Sequence, residues 1–227
     1  MIQTNSRKIV GYEKIVLIGA SCFIGSAILK ESPERGHSVT AIVRHPENIK
    51  LENPNFKIVN CDVMDEDSVP ELVKDADIVI NAYNPGWTNP SISTDTTIAY
   101  KSNISGVKKA DLLRLLIVGG AGSLLVTPDK RVLDTGVIPD SYLPAVKSLA
   151  EVLYGLQRDE KELDWVFFSP AGNIAPGEKT GIFRLGKDYL IVDEKGESNI
   201  SVEDYAVALL DEVEKQQHHR ERFTIGY

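Results

Sequence analysis

The sequence predicts an α/β fold built on one doubly wound parallel sheet, and three observations carry that prediction. Six short runs rich in β-branched and apolar residues recur along the chain. They are nearly continuous in apolar residues rather than alternating, as strands buried on both faces are. Segments with helical spacing separate them, which makes β-α-β units with right-handed crossovers. Finally, a glycine-rich turn follows the first run and opens a helix. At 227 residues the chain suits one domain with a sizeable core. The division read from the sequence is a single unit over 1–227, with an N-terminal extension (1–13) and a C-terminal appendix (171–227).

The elements follow in order. "KIVLIG" (14–19) is the first strand, and the first helix starts at Phe23 and runs over 23–34. "SVTAIV" (38–43) and "FKIV" (56–59) are the next two strands. A short helix at 66–74 leads to "DIVINA" (77–82), and a longer one at 95–109 leads to "LLIVGG" (115–120). The helix at 141–161 precedes "WVFFSP" (165–170), in which Trp165 reads as core. After Pro170 the chain turns rich in glycine and charge. There "LGKDY" reads as the turn of a hairpin with arms "RL" and "LIV". "SVEDYAVALLDEVEK" opens with Ser201 as N-cap and acids in the first turn, and "RFTIGY" reads as a last strand. This small hairpin-helix appendix is placed over the carboxyl ends of the strands, where ligands bind in such sheets.

Composition narrows the functions. The net charge of −8 speaks against nucleic acid or anionic lipid as a partner. No apolar run approaches the ~20 residues of a membrane span, and the polar start "MIQTNSRKIVGYEK" has no signal-peptide core. Cys22 and Cys61 are the only cysteines, which suits a reducing cytoplasm. His37, His45, His218 and His219 show no metal-ligand spacing and read as surface residues, so no metal site is expected.

"LIGASCFIGSAIL" (17–29) carries the nucleotide signal. In a strand–turn–helix unit of the Rossmann kind, the first glycine allows the tight turn. The second lets the backbone approach a pyrophosphate, and the third lets helix and strand pack. The helix N–H groups then hold the phosphate. Gly19 and Gly25 are in place, with Ala20, Ser21, Phe23 and Ile24 around them, but Cys22 stands where the middle glycine is usual. If that position needed a positive φ, its Cβ would cost about 1 kcal/mol or more. Cys22 reads as a tolerated substitution, the alternative being a redox-sensitive thiol at a helix N-terminus. Arg44 follows the second strand directly, with no acid before Glu47. An acid there holds the ribose of NAD, whereas an arginine accommodates the 2′-phosphate of NADP, so NADP is favoured over NAD. The alternative is a solvated loop arginine. In "NCDVMDED", Asp62 either accepts from the adenine amino group, with Val63 against the ring, or caps the helix expected from Glu66.

These residues, taken with "VRHPE", "CDVMDED", "INAYNPG", "IVGGAGS", "FFSPAG" and "ISVEDYA", resemble the atypical short-chain dehydrogenase/reductase family. Within it the chain is similar to the NADH-flavin reductase branch, related to NmrA-like proteins and flavin/biliverdin reductase B. The resemblance spans about 14–227 and implies an NAD(P)-binding Rossmann fold. It further implies cofactor contacts at Gly19, Ser21, Phe23, Ile24, Arg44, Asp62, Ala82 and Tyr83, around Gly120, and at Ser169 and Pro170.

Many dehydrogenases of this superfamily use a Ser with Tyr-x-x-x-Lys, the Tyr giving a proton to the carbonyl oxygen. Here the only candidates are Ser123, Tyr142 and Lys147. Four residues separate Tyr142 from Lys147, so the two do not share a helix face, and Pro144 lies between them. Reducing an isolated ketone needs a placed acid. A flavin, quinone or extended tetrapyrrole spreads the charge and mainly needs stacking against the nicotinamide. In "AYNPGWTNPSIS", Asn84 and Trp87 are the candidate substrate residues, Trp87 being either a pocket wall or a loop anchor. The expected activity is hydride transfer from NAD(P)H to a small conjugated acceptor, by a cytoplasmic monomer or homodimer. Two alternatives are a non-catalytic dinucleotide sensor of the NmrA kind and an epimerase/dehydratase-like enzyme.

Overall fold

The central strands of the sheet are buried almost continuously, so it has two apolar faces, and helices cover both. The structure is a computed structural model that describes residues 12–112 and 114–227. Most of the N-terminal extension read at 1–13 therefore lies outside the described residues. Five strands come first: β1 (Lys14–Ile18), β2 (Ser38–Val43), β3 (Phe56–Asn60), β4 (Ile78–Asn81) and β5 (Arg114–Val118). The short β6 (Leu125–Thr127) and β7 (Lys130–Arg131) form a separate ribbon. β8 (Asp164–Ser169), β9 (Asn173–Ala175), β10 (Arg184–Gly186), β11 (Asn199–Ser201) and β12 (Glu221–Gly226) complete the set. The main sheet runs β10-β12-β8-β5-β4-β1-β2-β3 and is parallel except for β10. This is the Rossmann-like α/β fold, with its strand order reversing between β1 and β4.

On one face, α1 (Phe23–Glu34) and α5 (Val202–Lys215) cover Ile15, Leu17, Val39, Leu116 and Phe168. On the other, α2 (Val69–Val73), α3 (Ile92–Lys109) and α4 (Leu143–Asp159) cover Val16, Ile18, Val79, Ile117 and Phe167. Trp165 is buried in that second core. Ser201 caps α5, its Oγ accepting from the Asp204 N–H at 3.0 Å. Among the described residues no helix is long and apolar enough to cross a membrane.

Three local expectations are corrected. The helix read from residue 66 begins at Val69, because 65–68 form a turn in which the Ser68 N–H and hydroxyl both donate to the Asp65 carbonyl. The hairpin around 185–189 does not form. Arg184–Gly186 instead pairs antiparallel with Gly226–Thr224 of β12, and the Leu190 N–H donates to the Leu125 carbonyl. A two-stranded ribbon is marginal alone, whereas the edge of a large sheet offers the same hydrogen bonds with a core beneath. His37 is fully buried, not a surface residue: it accepts from the Glu13 N–H through Nδ1, and Nε2 lies 3.1 Å from Glu214. His218 is half-buried, its ring stacked on Phe223.

Candidate functional site

The site is built where β1, β4, β5 and β8 end. Gly19 has φ +79°, and a Cβ there would come within 2.6 Å of the Ala82 carbonyl oxygen. A Cβ on Gly25 would lie 2.1 Å from the Gly19 oxygen. The outer two glycines of the motif are therefore required by close approach of backbone to backbone. The middle position is different. Cys22 sits at φ −73°, ψ 165°, an extended conformation open to any residue. The backbone cost weighed for this cysteine does not arise. Its Sγ is half-buried, 3.6 Å from the Asn84 carbonyl, and burial pushes the thiol up despite the nearby Arg44 charge. That gives no support to a reactive thiolate.

Helix α1 starts here with no side-chain cap and no acid in its first turn. The Phe23, Ile24 and Gly25 N–H groups have no acceptor within the helix, which makes this end an anion cradle. Ser21 and Phe23 are exposed, while Ala20 is buried beneath them and Ile24 packs on the α1–α5 core.

Arg44 is exposed at the end of β2, and its carbonyl accepts from Asn60 Nδ2 at 2.7 Å. A cavity of about 210 Å³ lies between the glycine turn (Ala20, Ser21, Ser26) and the segment holding Asn48 and Lys50. Lys50 was not among the sequence candidates. A second cation six residues past Arg44 is the signal that could have found it. Asp62 is exposed, and its Oδ1 accepts from the Met64 N–H at 3.1 Å. It caps no helix, because α2 starts only at Val69. Val63 is buried in the core that packs against α2 and α3.

At the ends of β4 and β8, Ala82, Tyr83, Ser169 and Pro170 are all buried. The hydroxyls of Tyr83 and Ser169 have no hydrogen-bond partner within the described protein. Gly120 is half-buried after β5. Asn84 accepts from the Gly86 N–H at 2.8 Å, turning the loop that carries Trp87. Trp87 is 56% exposed, so it does not anchor its loop in the core, and it meets Tyr142 edge-on with ring centroids 5.1 Å apart.

The three candidate catalytic residues are not joined. Ser123 is buried, and its oxygen accepts from the Arg222 guanidinium at 3.1 Å. Tyr142 sits at the N-cap of α4, and Lys147 is exposed. Among the described residues no hydrogen bond links any two of them. The residues present fit a nicotinamide dinucleotide: an uncapped helix start behind a glycine turn, a cation past β2, and two orphaned hydroxyls at the far end.

The comparisons with known proteins agree with that fit. The family described as NAD(P)H-binding matches residues 19–214. The chain is 42% identical over 217 residues to the uncharacterized protein YwnB of Bacillus subtilis, covering 93% of this chain and 97% of that one. Among solved structures, a candidate epimerase from Bacteroides thetaiotaomicron is 53% identical with a TM-score of 0.90. That match covers 96% of this chain and 98% of the other. A candidate NADH-flavin reductase from Streptococcus pneumoniae is 33% identical with a TM-score of 0.79, covering 94% and 99%.

Proposed function

The chain belongs to the NAD(P)H-binding family, and on that premise we propose that it is an NADPH-dependent oxidoreductase whose acceptor is a planar conjugated molecule such as a flavin or quinone. One observation carries this reading: an uncapped helix start follows a glycine turn, exposed aromatic rings stand on the loop after β4 and at the start of α4, and among the described residues Ser123, Tyr142 and Lys147 form no linked proton donor. When bound, the dinucleotide supplies a hydride. The N–H groups at the start of α1 hold its pyrophosphate, and Gly19 and Gly25 keep that turn tight. Arg44 meets a 2′-phosphate, and Lys50 lines the small cavity beside the glycine turn. Ser169 and Tyr83 offer hydroxyls to the nicotinamide end. Trp87 and Asn84 flank the acceptor, and the acceptor's own conjugation takes up the charge, so a proton can come from water. The protein works in the cytoplasm as a monomer or homodimer.

The likeness to the candidate epimerase favours a second reading, an epimerase/dehydratase-like enzyme. That chemistry wants a working Tyr–Lys pair, which Tyr142 and Lys147 do not form. A dinucleotide sensor of the NmrA kind is supported by the same missing set. The deciding experiment titrates NADPH and NADH by fluorescence with the wild type and Arg44→Ala, then follows NADPH oxidation with FMN, menadione and a simple ketone. Tighter NADPH binding that Arg44→Ala abolishes, with turnover of FMN or menadione but not of the ketone, is the expected result. Binding without turnover of any acceptor leaves the sensor. Turnover of the ketone overturns the conjugated-acceptor reading.

A further inference from the structure

From the Trp87–Tyr142 contact we infer that Tyr142 is a positioning residue, which holds the Trp87 indole as a one-sided stacking platform for the planar acceptor. This rests on the conjugated-acceptor reading above and deepens it. Both rings are among the most exposed large side chains near the site, at 56% and 44%. They come from different elements, the loop after β4 and the start of α4, and meet at an interplanar angle of 77°. A ligand sandwiched between two rings needs about 7 Å between them, two contacts of roughly 3.5 Å. At 5.1 Å these rings admit nothing between them. The contact therefore braces the indole against Tyr142, and Trp87 still keeps 56% of its surface exposed for a ligand on its other side.

The backbone under both residues is held. Gly86 donates to Asn84, Asn89 donates to the Gly86 carbonyl, and Asn89 Nδ2 donates to Asp95 on α3. The Tyr142 N–H donates to the Pro139 carbonyl, and its own carbonyl accepts from Val146. Helix capping does not account for a tyrosine here, since Tyr142 makes no side-chain cap. The place is the right one as well: Trp87 follows β4, beside the point where the strand order reverses.

The test separates this proposal from the reading it rests on. Tryptophan emission is titrated with menadione without NADPH, and steady-state kinetics are run in parallel. Trp87→Phe, which leaves Trp165 as the only tryptophan, is expected to lose the saturable quench. Tyr142→Ala raises the quench Kd and the KM for menadione about tenfold, the scale of one lost aromatic contact, with kcat changed less than about twofold. Tyr142→Phe, which keeps the ring and removes only the hydroxyl, restores both constants. A Tyr142→Phe protein with kcat as low as an acid-deleted enzyme overturns the inference, as does Tyr142→Ala with an unchanged quench. If no acceptor is turned over yet the quench follows this pattern, the platform stands and the reductase reading falls. Turnover without any quench, or neither signal, overturns the platform.

Discussion

The two edges of the sheet treat charged groups differently. At the amino edge buried charges are paired across elements, although Arg114 Nε and Asp164 Oδ1 keep no partner among the described residues. Arg114 donates to Asp164 at 2.6 Å, to Glu212 at 2.5 Å and to the His218 carbonyl at 2.8 Å. Arg35 ties α1 to α5 through Asp211 and Glu214, and His37 meets Glu214 from inside. At the carboxyl edge, Tyr83 and Ser169 keep buried hydroxyls without a partner among the described residues, α1 starts uncapped, and Phe23, Trp87 and Tyr142 stay exposed. Unpaired buried groups cost stability at either edge, so what distinguishes the carboxyl edge is the uncapped helix start and the exposed rings, the features on which the proposed dinucleotide site rests.

Four substitutions break or sharpen that contrast. The largest effect is expected at the amino edge. Arg114→Ala removes the buried cation that Glu212 and Asp164 share, leaving them only histidine and backbone partners, and should cost about 3–5 kcal/mol in denaturant unfolding, with NADPH affinity unchanged in the folded fraction. An equal loss of affinity would mean the two edges are not independent. Next, Gly19→Ala forces a Cβ against the Ala82 carbonyl at φ +79° and should weaken NADPH binding roughly 100-fold by fluorescence titration. Asp204 gives a smaller, pH-dependent effect. Burial opposes its ionisation, but hydrogen bonds from Thr180, Gly181 and Tyr227 outweigh that and hold its carboxyl below the usual range. Its stabilisation is complete above the unfolded value near ~3.9 and is lost as pH falls through the folded value. Asp204→Asn should therefore cost about 1–2 kcal/mol at pH 7 and flatten the acid limb of a stability-versus-pH curve. The smallest effect is Cys22→Gly. Since Cys22 is already in extended backbone, NADPH affinity should move less than about threefold. A tenfold gain would show that the thiol crowds the phosphate.

The glycine turn was legible because most of its demands are local: Gly19 has a positive φ and Gly25 is fixed by the Gly19 carbonyl within one β-α unit, whereas the approach of Ala82 to Gly19 comes from β4 and leaves no spacing to read. Cys22 shows the limit of that reading. The spacing says where a glycine is usual, and only the φ angle says whether one is needed. The role of Ser123 was not legible, since its hydroxyl is taken by Arg222, 99 residues away. Lys50 carried a sequence signal in its spacing from Arg44, but its relation to the glycine turn shows only across the cavity they share.

By itself the sequence determined the parallel α/β sheet, its helix alternation and the dinucleotide turn, because burial on both strand faces and tight turns impose patterns within a few residues. Tertiary structure alone decided that 184–186 joins β12 instead of folding on itself, that His37 is interior, and that Tyr142 abuts Trp87. Each of those outcomes depends on which distant group satisfies an edge, a proton or a ring face. Such long-range pairings follow from how the whole chain closes and leave no local period to read.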